Sequence, residues 1–410
     1  MMRTMVIHGC TLIDCTGHDP RTNAWVIVEG ERIAGIGTGA PPRSAKAIEI
    51  DAAGRVLMPG LIDAHAHLSI VGNITDRNRG PMPVHFLKIA REIEETLADG
   101  FTAVRDAGGL DWGYKEAIRQ GLLRGPRLFV SNGTLSQTGG HGDLRSRAAT
   151  QPEPQTPGLW SIGIVVDGPD QVRWGAREMF RRGADQVKVM ANGGCVSPAD
   201  ELTSVQFTIA ELRAAVEEAT AQGKYVMAHT YTTTSMMNCL DAGVRTLEHG
   251  NFISSEVAER MARSGTFLVP TIATYELLAA DGRSLGYPEY VIQKIEQALK
   301  GAYEALSIAR QVGVKIGSGS DVLGAQQRKK AFELGYKSKV MPAMEVLIAT
   351  TKTNAEIIGM QNELGTVETE KLADLLLVDG NPLDDLSILA DRGRIHMVIQ
   401  GGTIVADRRP

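Results

Sequence analysis

Hydrophobic and polar positions follow two rhythms along the chain. Before residue 56 the apolar residues form short runs rich in Val and Ile, TMVIHGCTLID, AWVIVEGERIAGIG and KAIEIDAAGR, broken by glycine at EG and AAG. Runs of this kind, punctuated by turn residues, predict antiparallel strands. ADLLLVDGNP and HMVIQGGTIVADR repeat that texture near the other end. Residues 1–57 and 365–410 are therefore expected to combine into one small β-sandwich domain, with residues 58–364 inserted between them.

The inserted stretch reads differently. Apolar runs suited to buried parallel strands recur eight times, at VLMPGLIDAHAHL, FTAVRDAG, PRLFVSNGTLS, ADQVKVMAN, YVMAHTY, RTLEHGNF, TFLVPTIAT and VKIGSGSD. Between them lie segments with helical apolar spacing, among them VHFLKIAREIEETLADG, GPDQVRWGAREMFRRG and TIAELRAAVEEATAQG, and MPAMEVLIATTKTNAEIIG follows the eighth. Strand and helix alternating eight times predict an α/β protein built on a (β/α)8 TIM barrel, with its chemistry where strands end and loops begin. Two stretches break the rhythm: residues 141–168 with PEPQTPGLW, and residues 322–340 with VLGAQQRKKAFELGYKSKV. Loops of such length in a compact domain commonly act as lids or binding loops.

Composition narrows the partners. The 410 residues carry a net charge of -5 with both signs mixed, which offers no basic face to nucleic acid and no polybasic membrane anchor. MMRTMVIHGC lacks the apolar core of a signal peptide, and no window approaches a membrane span. Cys10, Cys15, Cys195 and Cys239 have neither CxxC nor zinc-finger spacing, so free thiols in a reducing compartment are expected. A cytoplasmic protein acting on a small molecule or short peptide, and assembling as a homo-oligomer, is the resulting expectation.

The chemistry begins at LIDAHAHL. On a strand, His65 and His67 share a face and lie about 6.5–7 Å apart, so two imidazoles converge on one point, either at a metal or as hydrogen-bonded core residues. His229 closes YVMAHTY, His249 closes TLEHGNF and Asp321 closes VKIGSGSD. Alone, a buried histidine is ordinary core and an Asp after a strand an ordinary helix cap; their common position at strand ends favours a metal site. Lys188 stands inside the apolar strand of ADQVKVMANGG. Its buried amine needs either a carboxylate partner or conversion by CO2 to a carbamate, an anion able to bridge two metal ions. Oxygen and imidazole donors together suit zinc and similar divalent ions.

PGLIDAHAHL, Lys188 in its strand, His229, His249, Asp321 and the later ADLLLVDGNPL together resemble the amidohydrolase superfamily, in its binuclear branch with a carboxylated lysine. AVRDAGG, RLFVSNGTLSQTGGHGD, DQVKVMANGG and AHTYT are similar to the imidazolonepropionase-related peptidases, prolidase-like and Xaa-Arg/Lys dipeptidase enzymes. The resemblance implies two divalent metal ions, zinc by preference: His65, His67 and Asp321 on the more buried one, His229 and His249 on the outer, and N6-carboxylysine at Lys188 bridging them. It implies attack by a metal-bridging hydroxide, with Asp321 as the proton carrier, and with Tyr231 and His141 donating to the oxyanion. A peptidase cleaving dipeptides or C-terminal residues is the leading expectation. A hydrolase of non-peptide amides, N-acyl amino acids, ureas or cyclic amides shares the same ligand set, whereas a silent scaffold would lack a ligand and none is missing.

Other motifs carry less. SQTGGHGD lacks the ending of a phosphate loop and reads as a tight turn presenting His141, and the glycines of GSGSD let backbone crowd the metal side of the eighth strand. His8, His18, His85 and His396 fall outside the strand-end pattern. The run Arg328–Lys330 is read as a solvated face, with proximity to a substrate carboxylate as the alternative.

Overall fold

The computed structural model describes residues 4–42, 47–72, 81–146, 148 and 162–408. Strands from both ends of the chain share one eight-stranded sheet: Thr4–Leu12, Arg21–Glu29, Arg32–Thr38, Ile48–Asp51 and Val56–Pro59 join Leu375–Val378, Ile395–Gln400 and Thr403–Asp407. Val56–Pro59 is central to it, parallel to Thr4–Leu12 on one side and antiparallel to Leu375–Val378 on the other. Alternation then sorts the side chains. Leu57, Leu375, Leu377 and Met397 enter a core private to this sheet, while Val56, Met58, Leu376 and Val398 face the opposite way into the main core of the molecule.

Each of the eight apolar runs in the inserted stretch carries a parallel strand. Leu61–Ala66, Phe101–Asp106 and Arg127–Val130 form a three-stranded sheet. A seven-stranded sheet runs Gly163–Val165, Thr134–Ser136, Val187–Met190, Val226–Thr232, Thr246–Phe252, Phe267–Val269 and Lys315–Ile316. The third run splits between the two sheets because Asn132, at φ 58°, turns the backbone between Val130 and Thr134. Backbone bonds also link the sheets. Asp185 N–H donates to Val130 O at 2.7 Å, Ala64 N–H to Ser318 O at 2.9 Å, and Asp321 N–H to His65 O at 2.8 Å.

The predicted helices are present at Met82–Ala98, Gly168–Arg181 and Ile209–Ala221. After the eighth strand the helix Ala343–Ile348 widens into a π turn, Ala349–Thr353, before Asn354–Ile357. That turn delivers Asn354 to the seam between first and eighth strands. Its amide donates to Ile62 O at 2.6 Å and Ser318 O at 2.7 Å, and its carbonyl accepts from Ser318 N–H at 2.9 Å. Residues 322–340 hold a 3-10 turn, Gly324–Lys329, and a short helix, Phe332–Lys337, and PEPQTPGLW lies outside the described residues. Among the described residues no helix is long and apolar enough to cross a membrane.

Candidate metal centre

Six polar residues on five strands or on the segments that follow them reach one cavity of about 50 Å3: His65, His67, Lys188, His229, His249 and Asp321 all line it, together with His141 and Tyr231. His65, His67 and Asp321 form its tightest group, one donor atom from each lying within 4.8 Å of the others. Asp321 Oδ1 stands 3.5 Å from His67 Nε2 and 3.8 Å from His65 Nε2. Those gaps are too long for hydrogen bonds, but a tetrahedral ion with bonds of about 2.1 Å sets its ligands roughly 3.4 Å apart. The other two histidines adjoin this group, with ring centroids 4.9 Å apart for His65–His249 and 4.5 Å for His229–His249.

Each ring is oriented by what its second nitrogen touches. His65 Nδ1–H donates to Glu248 Oε2 at 2.7 Å, and His67 Nδ1–H to Gly108 O at 2.7 Å, which leaves both Nε2 lone pairs facing inward. His229 is turned the other way, its Nε2–H donating to Gly193 O at 3.2 Å and its Nδ1 left available. His249 Nδ1 shares a hydrogen bond of 2.7 Å with Thr271 Oγ1. Holding one ring nitrogen on a fixed acceptor sets the tautomer and frees the other for a metal.

Electrostatics favour the same use. Burial, with the Lys188 amine second, pushes His67 down to about 3, and burial holds His65, His229 and His249 well below the usual histidine range. These imidazoles are neutral at ordinary pH, the form that binds metal. Burial lowers Lys188 to about 8 and raises Asp321 to about 7, each opposed by the charge of the other. The Lys188 amine is 3.4 Å from His65 Nε2, and among the described residues no carboxylate lies within the 4.0 Å of an ion pair. The salt bridge open to Lys188 from sequence is therefore not formed.

Two ligand positions depart from ordinary backbone. His249 has φ 70° and Asp321 φ 50°, left-handed values costly for residues with a Cβ, and such strain clusters at functional sites. Gly319 explains part of the local design: a Cβ there would meet His65 Cβ at 2.4 Å, so only glycine lets the eighth run pass so close to the first.

His141 is presented on a tight turn as expected, and its ring stacks on His229 with centroids 4.4 Å apart. Tyr231 OH meets Tyr275 OH at 2.9 Å and Cys195 Sγ at 3.5 Å. The cations of the 328–330 run are engaged elsewhere. Arg328 pairs with Glu95 and Asp99, Lys329 with Asp281 and Lys330 with Glu92.

The sequence reading missed the groups behind the ligands. Glu248 is fully buried and also accepts from Arg105, whose Nη2 lies 3.0 and 2.9 Å from its two oxygens, and from Thr246 Oγ1 at 2.5 Å. Asp63 takes His65 N–H at 3.1 Å on Oδ1, and Ser320 N–H at 3.0 Å and Oγ–H at 2.5 Å on its two oxygens, which ties the first strand to the eighth. Arg105 and Glu248 could have been flagged as charges interrupting apolar strands, the same signal that singled out Lys188.

Comparison with known proteins agrees with this geometry. A solved prolidase, crystallised with N-methylphosphonate-L-proline, is 38% identical and superposes with a TM-score of 0.95, covering 99% of this chain and 100% of its own. A Xaa-Pro dipeptidase with methionine bound in its active site is 29% identical at a TM-score of 0.90, covering 98% of this chain and 99% of its own. The ochratoxinase of Aspergillus niger is 29% identical over 98% of this chain and 86% of its own. The amidohydrolase family model matches residues 56–405, from the strand leading into His65 to the last strand of the terminal sheet, and the chain belongs to that family.

Proposed function

We propose that the chain is a binuclear metal-dependent amidohydrolase that cleaves dipeptides or C-terminal residues from short peptides. Membership of the amidohydrolase family makes it a hydrolase of carbon–nitrogen amide bonds. The likeness to a prolidase along the full length of both chains is the observation that carries the peptidase reading. Its architecture is read as a closed (β/α)8 barrel, residues 58–364, with a β-sandwich from residues 1–57 and 365–410. The backbone bonds at both ends of the three-stranded sheet support the first, and the sheet shared by the two termini supports the second.

The donor set fits two divalent ions, zinc by preference. His65, His67 and Asp321 would hold one, His229 and His249 the other, and Lys188 as N6-carboxylysine would join them; its desolvated amine, with no carboxylate at ion-pair distance among the described residues, is the chemistry a carbamate would relieve. When bound, such ions activate water and polarise the scissile carbonyl. This chain's own residues then do the rest. Asp321 is placed to carry a proton to the departing amine, and Tyr231 and His141 border the cavity beside it. Ile70, Ile162, Val196, Leu278, Ile295 and Leu323 form an aliphatic wall that suits an apolar group on the substrate. Burial of all four free thiols is compatible with a reducing compartment, and the cytoplasm and a homo-oligomeric state belong to the same proposal.

A library of dipeptides and N-acyl amino acids, scored by released amine, tests this. Turnover of dipeptides with apolar C-terminal residues is the expected result. The relation to ochratoxinase favours a second reading, a hydrolase of non-peptide amides on the same centre. Turnover of N-acyl amino acids with no dipeptide cleaved would select it over the first.

A further inference from the structure

Behind His141 lies a set of buried polar groups that the metal centre does not use. His141 Nδ1 is 2.9 Å from Ser197 Oγ, and Ser197 Oγ–H donates in turn to Asp200 Oδ1, with Gly194 O at 3.3 Å as its only other described acceptor. Asp200 Oδ2 accepts from Gln206 Nε2–H at 2.8 Å and Gly194 N–H at 3.3 Å, and Gln206 Oε1 accepts His141 N–H at 2.9 Å. Lys294, from the helix Glu289–Val312, fastens the segment by donating to Gly194 O at 3.3 Å, Ser197 O at 3.1 Å and Asp200 O. A Cβ on Gly194 would fall 2.0 Å from the His141 ring, so backbone packs directly against it.

Proton counting fixes the direction of this chain. Carboxylate and carbonyl oxygens only accept, so the single hydroxyl proton of Ser197 points away from His141 whichever of the two it chooses. The Ser197 lone pair facing His141 must then receive a proton, and that proton sits on Nδ1. Nε2 makes no hydrogen bond among the described residues and belongs to the cavity wall.

We propose that Ser197 and Asp200 are positioning residues that keep the proton of neutral His141 on Nδ1, so that Nε2 meets the bound substrate as a hydrogen-bond acceptor. This revises the simple oxyanion donor expected of His141 and rests on the reading of His141 as a group that faces the substrate. No other candidate residue in the cavity has its proton held in place by a carboxylate acting through a hydroxyl.

Asp200→Asn discriminates. With the amide oxygen kept on the Gln206 and Gly194 donors, its NH2 faces Ser197, whose proton loses its carboxylate acceptor and turns to His141 Nδ1 at 2.9 Å in preference to Gly194 O at 3.3 Å. Ser197→Ala removes the acceptor altogether, and Ser197→Thr restores it. The experiment is nitrogen-15 NMR of metal-loaded, histidine-labelled protein, with the His141 signals assigned by His141→Gln, beside steady-state kinetics on the best amide substrate. Expected are an Nδ1–H tautomer in the unaltered enzyme and Ser197→Thr, a shift toward Nε2–H in Asp200→Asn and Ser197→Ala, and kcat about 100-fold lower in those two with KM within twofold. An unaltered enzyme already in the Nε2–H form, or a tautomer that neither variant moves, overturns the relay. A shifted tautomer with unchanged kcat overturns the acceptor role. Absence of any amide turnover in the unaltered enzyme would count against the functional reading alone, because the tautomer still decides the relay.

Discussion

At the scale of single residues, Lys188 and Asp321 are the sharpest tests of the metal reading. Lys188→Ala and Asp321→Asn should abolish hydrolysis and lower bound metal by elemental analysis while the circular dichroism of the fold persists; full activity without metal would refute it. Glu248 should behave differently because it serves structure and site together. It holds His65 on one side and the buried Arg105 on the other, so Glu248→Ala strands a charge inside the protein. A loss of about 3–5 kcal/mol in urea unfolding is expected, together with metal affinity roughly 10–100-fold weaker. The six ligand candidates were legible in the sequence because imidazole, amine and carboxylate stand out against apolar strands. Glu248 and Arg105 carry the same mark, but their significance is a pairing between strands that are distant in sequence, and no local spacing reports it. Ser197 and Asp200 lie in an irregular segment where no periodicity says which way a side chain turns.

At the scale of elements, the first and eighth strands form the critical seam. Asp63 and Asn354 sew it with hydrogen bonds, and Gly319 lets it close. Gly319→Ala forces a methyl group onto the His65 backbone, and over-packing of this kind costs about 1–3 kcal/mol. Metal binding should fall further than stability does, since the displaced strand carries two candidate ligands; equal metal content in the variant would contradict that. The eight strands and most helices follow from apolar periodicity alone. The split of the third run at Asn132 and the π turn before Asn354 do not, because both answer tertiary demands that local propensity does not encode.

At the scale of the whole molecule, buried imidazoles and buried carboxyls give the metal-free protein opposing pH dependences. Burial takes His141 down to about 4 and His67 to about 3, against about 6.5 in the unfolded chain. A lowered folded value means the unfolded chain binds more protons between those limits. The stability these rings contribute is therefore complete above about pH 6.5 and is lost as pH falls toward 4, whereas Asp106 and Asp321, raised by burial to about 7, contribute in the opposite sense as pH falls through that value. Each tenfold difference in proton affinity between the folded and unfolded forms contributes about 1.4 kcal/mol at most. The urea midpoint of the metal-free protein should fall less steeply between pH 7.5 and pH 5 in His141→Gln than in the unaltered chain; an unchanged slope would contradict the burial of this ring. The shared terminal sheet has a consequence in time. Val56–Pro59, which leads directly into the His65 strand, is flanked by Leu375–Val378, its partner from the far end of the sequence. A ribosome must deliver roughly three hundred further residues before that neighbour exists, and contacts of such long range form slowly. The inserted parallel strands wait with the one that carries His65 unbraced on one side, so the candidate metal site is completed only after Leu375–Val378 has been made.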